Sequence, residues 1–300
     1  MPCSSWAPLR FEHYIYLSPP PCPEGERKVL VAVSTSLLRS LCVVDAALTL
    51  AQCGFRTVEL NYAGLLRCSD GVPEAVSRLR RAVSRGEVSV LSIHAPYTYV
   101  VKNLGLWNCS SPERLAGVYW SLIAPIVEAA EPRMIVVHPM HVKAVANPEE
   151  FTLTFLELLR DWALASGTIL AVENLVRGEE PWSDVGRVAE LARSIGAGVC
   201  LDVGHANYAR QGIPEAAEHL LRHGLLVSMH LHDNDGSADQ HLPPFTGAVE
   251  WRRLFAVLKS YGYRGPGVIE AGCSEPMAKC LNWLSLLRAL KPFLKELRVP

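Results

Sequence analysis

The 300-residue chain has almost no net charge: 29 Lys and Arg stand against 30 Asp and Glu, a formal balance of −1. A basic surplus is what drives non-specific binding to nucleic acid, and there is none here. Nucleic acid is therefore the less favoured partner, open only to a local basic patch. No apolar run approaches the roughly 20 residues that cross a bilayer, so no membrane partner is expected. The opening residues, MPCSSWAPLRFEHYIYL, lack the basic-then-apolar layout of a signal peptide, and a cytoplasmic location is the expectation. The nine cysteines (Cys3, Cys22, Cys42, Cys53, Cys68, Cys109, Cys200, Cys273, Cys280) contain no Cys-x-x-Cys pair. That removes the commonest thiolate metal and redox motifs. The cysteines read as buried or incidental thiols. A disulfide such as Cys42 to Cys53 is the alternative for a hyperthermophile.

What is present is a large apolar fraction, 49%, enough for a sizeable core. Residues 1–28, with the run Ser18-Pro19-Pro20-Pro21, favour extended backbone and read as an extension outside the main domain, residues 29–300. From Val29 onward short β-rich runs alternate with helical segments. Strands are expected at 29–33, 57–60, 88–94, 134–138, 169–173, 199–202, 227–232 and 267–270. Helices are expected between them and finally at 276–297. Gly54, Gly86 and Gly167 read as helix stops, and Ser111 and Asn147 as N-caps. Eight βα repeats imply a parallel sheet with helical crossovers, and the count of eight favours a closed α/β barrel, the (β/α)₈ TIM barrel.

Six of these strands end in a metal-ligand residue type: VSVLSIH at His94, RMIVVH at His138, TILAVE at Glu173, GVCLD at Asp202, LVSMHLH at His230 and His232, and GVIE at Glu270. A buried parallel strand would ordinarily end in another apolar residue. In a TIM barrel these ends converge on the C-terminal mouth, where active sites sit. Side chains alternate along a strand, so Ile169, Ala171 and Glu173 share one face, as do Ser228, His230 and His232. Glu173, Asp202, His230 and Glu270 lie on strands five to eight. Three carboxylates and an imidazole brought together repel unless a cation joins them. The mixed oxygen and nitrogen set suits Mn²⁺, Mg²⁺, Zn²⁺ or Co²⁺.

For any one of these residues alone, a strand-end hydrogen bond or salt bridge is the plainer reading. His94 and His138, on neighbouring strands, read first as substrate contacts and second as ligands of a further metal. His205, Asp239 and His241 form either another metal site or a polar pocket wall. For Glu59, near the end of strand two, a salt bridge and a substrate role are evenly matched. His13, His219 and His223 read as surface residues. Lys102, His141, Lys143 and Arg177 follow strands at the mouth, and solvated loops are their default. Trp107 and Trp182 fall in mouth-side loops and are candidates to wall an apolar pocket face.

The quoted strand ends, together with HAPY at 94–97, EN at 173–174, LDVGHAN at 201–207, HLHDNDG at 230–236, DQHLPP at 239–244 and IEAG at 269–272, resemble the xylose isomerase-like TIM barrels. That superfamily includes sugar phosphate isomerases/epimerases and the endonuclease IV (AP endonuclease family 2) enzymes. The resemblance implies a metal site on Glu173, Asp202, His230 and Glu270, with His232 as a fallback for His230. It implies a small-molecule partner, a sugar or sugar phosphate, and leaves a homo-oligomer open. The endonuclease branch uses further ligands, which fall on His94, His138, His205, Asp239 and His241.

The sugar branch implies isomerase or epimerase chemistry: the metal acidifies a carbon-bound proton and stabilises an enediolate. Glu173 and Glu270 would then exchange the proton while His205 and His94 stabilise oxyanions. The alternative is an endonuclease IV-like enzyme with a multinuclear zinc site. A third reading is a barrel that binds sugar or metal without catalysis. Two departures stand out. Phe245 replaces the first glycine of the LPxGxG that the sugar branch often carries, and is expected to narrow the pocket. Glu173-Asn174-Leu175-Val176 also lacks the lysine of the E-x-K-P segment of true xylose isomerases, which speaks against a two-metal hydride shift.

Overall fold

The computed structural model describes residues 30–140 and 145–272. The expected extension at 1–28, the closing helix at 276–297, His13, His141 and Lys143 lie outside the described residues. Within them, eight strands form one closed parallel barrel: β1 (Val31–Ser34), β2 (Thr57–Asn61), β3 (Ser89–His94), β4 (Met134–Val137), β5 (Ile169–Glu173), β6 (Gly198–Asp202), β7 (Leu226–Leu231) and β8 (Gly267–Ile269). Closure comes from β8 pairing with β1 in the register Val31 to Gly267, Ala32 to Val268 and Val33 to Ile269. The fold is a TIM barrel. Among the described residues no helix is long and apolar enough to cross a membrane.

The crossover helices are α1 (Val43–Gln52), α2 (Val72–Ser84), α4 (Pro112–Ala130), α5 (Pro148–Ala165), α6 (Val185–Ile195), α8 (Ile213–Arg222) and α9 (Trp251–Ser260). Their ends follow local chemistry. Ser111 accepts a hydrogen bond from the Arg114 amide at 3.1 Å and Asn147 from the Glu150 amide at 3.3 Å, each followed by proline in the first turn, where its missing N–H is no loss. Gly54, Gly86 and Gly167 take left-handed φ values of 89°, 66° and 74° just past their helices.

Two short helices depart from the sequence reading, α3 (Thr98–Asn103) and α7 (Val203–Tyr208). Six residues are too few to show a helical period. In α7 the cause is capping: Asp202 ends β6 and its carboxylate accepts the His205 amide at 2.7 Å, so the strand turns at once into a helix.

The thiol reading also needs correction. Cys42 and Cys68 form a disulfide, with Cα atoms 4.6 Å apart, tying the start of α1 to the β2–α2 connection. The pairing of Cys42 with Cys53 does not occur, because α1 runs between them and holds its two ends about 15 Å apart. Among the described residues Cys109 and Cys200 are free thiols.

The main apolar core lies between strands and helices. Trp182, expected at a pocket wall, is buried within that core instead. Inside the barrel, apolar packing is confined to small clusters. Val136, Ala171 and Cys200 form one of them, on the inward face of β4 to β6. Above them the inward positions are polar.

Candidate active site

The period-two facing brings the strand-end residues into one buried cluster. Glu173, Asp202, His230 and His232 are completely buried, and His94, His205 and Glu270 nearly so. Glu173 is the hub. Its Oε2 lies 3.2 Å from His94 Nε2 and 3.4 Å from His138 Nε2, and its Oε1 lies 3.3 Å from His230 Nδ1 and 3.5 Å from His205 Nδ1. His230 Nδ1 is also 2.9 Å from Glu270 Oε2 and 3.6 Å from Asp202 Oδ2. Ligand atoms of His94, Glu173, His230 and Glu270 all fall within 4.8 Å of one another, as do those of Glu173, Asp202 and His205.

These approaches are close but not aligned as hydrogen bonds. Both Glu173 oxygens, His138 Nε2, His230 Nδ1 and Glu270 Oε2 are buried without a hydrogen-bond partner. Buried polar atoms are normally paired. Several orphaned lone pairs converging on one point suit a divalent cation, so the residues fit the metal their chemistry implies.

A second cluster adjoins the first, drawing His205 from α7 and its other members from the β7–α9 connection. His205, His232, Asp239 and His241 place ligand atoms within 4.8 Å of one another. His241 Nε2 is 3.1 Å, and His205 Nε2 3.7 Å, from Asp239 Oδ2. His232 lies just beyond β7 and joins the clusters. Its Nε2 donates to Asp202 Oδ2 at 3.1 Å and lies 2.9 Å from Oδ1, and its Nδ1, without a hydrogen-bond partner, turns toward Asp239. Gly204 makes room for the His232 ring, since a Cβ there would lie 2.0 Å from its Cε1. His241 takes a left-handed φ of 47°, a strained conformation of the kind found at functional sites.

The electrostatics follow from the crowding. Burial pushes the Glu173 carboxyl up, but His230 and His138 outweigh it and hold it well below the usual carboxylate range. Asp202 behaves alike through His205 and His232, and Glu270, facing His230, falls to about 2. Burial pulls His94 and His205 down, yet Glu173 raises the first to about 9 and Asp202 and Asp239 raise the second to about 10. His241 rises to about 9, against its own burial, through Asp239. Protons on imidazoles can balance these carboxylates, and so can a divalent cation, which would displace the protons.

Glu59 is not at the mouth rim. It is fully buried on β2 and contacts His230 and Ser92. Arg177 is exposed, as expected of a solvated loop; Lys102 is exposed too but lies on α3 rather than in a loop, and His219 and His223 are exposed as expected. Phe245 adopts φ 71°, the conformation a glycine takes freely, and its recorded ring contacts are with Trp251 at 5.0 Å and Phe255 at 5.9 Å on α9. Among the described residues no ring contact joins Phe245 to the site residues. Gly247, the second glycine of that stretch, is required: a Cβ there would lie 2.4 Å from Asp233 Oδ1.

Two supporting residues escaped the sequence reading. Ser92 sits two residues before His94, and that period-two spacing was the available signal. Asn174 was visible only as half of a motif. Its side chain donates to the Asp202 carbonyl at 3.0 Å and accepts the Asp202 amide at 2.8 Å, fastening β6 to the end of β5.

Fold and site together define a TIM barrel whose C-terminal mouth is lined by buried carboxylates and imidazoles. The chain belongs to the family described as xylose isomerase-like TIM barrel, whose model matches residues 48–296. It is 29% identical over 220 residues, 66% of this chain and 69% of the relative, to the uncharacterized protein MJ1311 of Methanocaldococcus jannaschii. Among solved structures it is similar to a D-tagatose 3-epimerase-like protein (TM-score 0.69, 22% identity, 89% of this chain and 99% of that one). It is also similar to an AP endonuclease, family 2, from Brucella melitensis (TM-score 0.67, 17% identity, 86% and 98%). Further structural neighbours are sugar epimerases.

Proposed function

We propose that the chain is a divalent-metal-dependent isomerase or epimerase acting on a sugar or sugar phosphate by proton transfer. The observation that carries this is the convergence of orphaned Glu173, His230 and Glu270 atoms from β5, β7 and β8 on one buried point, with Asp202 of β6 joined to it through Glu173 and 3.6 Å from His230. Glu173, Asp202, His230 and Glu270 would hold the cation, Mn²⁺, Mg²⁺, Zn²⁺ or Co²⁺. When bound it supplies Lewis acidity toward adjacent carbonyl and hydroxyl oxygens of the substrate.

Glu173 and Glu270 approach from β5 and β8, so one carboxylate can take a carbon-bound proton and the other return one. Return to the neighbouring carbon is isomerisation, and return to the opposite face of the same carbon is epimerisation. His94 and His205 donate Nδ1–H to the Ala95 and Asn174 carbonyls, and when protonated at Nε2 they can also donate to oxygens gaining charge. His138, the most accessible of the four histidines around Glu173, suits contact with a substrate hydroxyl. Similarity to sugar epimerases supports this reading at the level of fold.

The test is elemental analysis of freshly purified protein, followed by a sugar panel in D₂O scored for deuterium entering at carbon. One divalent ion per chain and deuterium wash-in are expected. Glu173→Gln should abolish wash-in while leaving the circular dichroism spectrum unchanged, and wild-type turnover in that variant would refute the assignment.

The second cluster, His205, His232, Asp239 and His241, favours one alternative, an endonuclease IV-like enzyme with a multinuclear zinc site. Two or three zinc ions per chain, with nicking of abasic duplex and no sugar turnover, would decide for it.

A further inference from the structure

We infer that Glu59 is the positioning residue of His230: it accepts the imidazole Nε2–H and thereby turns Nδ1, with its lone pair, toward Glu173, Asp202 and Glu270. The inference rests on reading His230 as a metal ligand.

Glu59 reaches from β2 across the barrel interior, and its Oε2 lies 3.2 Å from His230 Nε2. The same oxygen accepts the Ser92 hydroxyl from β3 at 2.8 Å, which fixes the carboxylate. Its other oxygen has no partner, so nothing else claims the group. Among the described residues no Lys or Arg forms an ion pair with Glu59; its recorded partner is His230. An unpaired buried carboxylate is costly, which makes the His230 N–H its compensation.

The rest of the geometry excludes other roles. Glu59 is fully buried and meets His230 at Nε2, whereas Glu173 and Glu270 meet the same ring at Nδ1. It contributes to none of the groups of converging ligand atoms. His230 instead has two distinct faces. Nε2 lies 3.2 Å from Glu59 Oε2, with the Cys200 thiol a further neighbour of the ring, while Nδ1 lies within 2.9–3.6 Å of Glu270, Glu173 and Asp202 and lacks an aligned hydrogen bond. A neutral imidazole carries one N–H, so placing it at Nε2 leaves Nδ1 as the donor atom. A carboxylate accepting the remote N–H of a ligating histidine also raises its basicity and fixes its ring. The ring is further held by stacking on His94, with centroids 5.6 Å apart and planes 17° from parallel.

The experiment compares wild type, Glu59→Gln and Glu59→Met after chelator stripping, by competition for Mn²⁺ and Zn²⁺ against a fluorescent chelator. Gln and Met both fill the space of Glu, but only Gln keeps an acceptor oxygen. Met should weaken affinity about 10- to 100-fold, with Gln much closer to wild type. Should Glu59→Met fail to fold, Ser92→Ala is the substitute. It releases the pinned carboxylate, and a few-fold loss of affinity is expected from it. Wild-type affinity in Glu59→Met or, where that variant does not fold, in Ser92→Ala would overturn the inference alone. So would Gln as weak as Met, since charge rather than hydrogen-bond acceptance would then be the agent. Wild type that takes up neither metal would overturn the metal-centre reading and the inference with it.

Discussion

Replacing Gly204 by Ala sets helix propensity against tertiary packing. Gly204 lies in the first turn of α7, where Ala should stabilise by up to about 1 kcal/mol. The added Cβ, however, would lie 2.0 Å from His232 Cε1, 2.2 Å from Nδ1 and 2.6 Å from Nε2. Ordinary contact needs about 3.5 Å, so the ring must retreat by about 1.5 Å. It has little room to do so: it is fully buried and stacks on His241 with centroids 4.0 Å apart. Overpacking of this kind costs about 1–3 kcal/mol. Losing the bond between His232 and Asp202, charge-assisted by the carboxylate, adds about 1.5–3 kcal/mol. The expected net loss is about 2–5 kcal/mol, with Tm falling by about 2–4 °C for each kcal/mol. Urea unfolding followed by circular dichroism measures it. Gly54→Ala is the control, because its Cβ meets nothing within 4 Å and it bears only the left-handed strain, about 1–2 kcal/mol. A Gly204→Ala protein as stable as wild type would refute the placement of His232 against α7.

Other consequences can be measured on the same protein. In chelator-treated samples His94, His205 and His241 have raised folded-state pKa values, so their stabilisation is full below pH 6.5 and is lost as pH rises through about 9 to 10. Glu270 works in the opposite sense: its contribution is present above pH 4.5 and disappears as pH falls through about 2. Denaturant titrations across pH should therefore give a dome, and added Zn²⁺ should flatten its alkaline side while releasing protons to the buffer. Saturating metal at about 100 times its Kd should add about 2.7 kcal/mol of stability, which a chelator removes. Reducing the Cys42–Cys68 disulfide opens a loop spanning 26 residues and should cost about 3–4 kcal/mol; unfolding midpoints with and without reductant test this.

The barrel was legible in the chain because its local signals agree with its global form. Apolar runs of strand length, capping residues such as Ser111 and Asn147, and stop glycines at 54, 86 and 167 each act over a few residues, and eight repeats of them leave few alternatives. The short helix α7 was not legible, since its cause is a single capping bond from Asp202. The disulfide partner was not legible either, because spacing along the chain says nothing about which sulfur atoms meet once α1 stands between Cys42 and Cys53.

The sequence by itself determined the residue types of the site and their common location, since a side chain ending an inward-facing register must point into the mouth. Only the tertiary structure decided how they divide. Distances across the barrel put Glu173 at the hub of one cluster and Asp239 in another, placed His232 between them, and moved Glu59 from the rim to the back of His230. These are relations between strands separated by up to 171 residues in the chain. The shear and closure of the whole barrel fix them, and no local pattern encodes them.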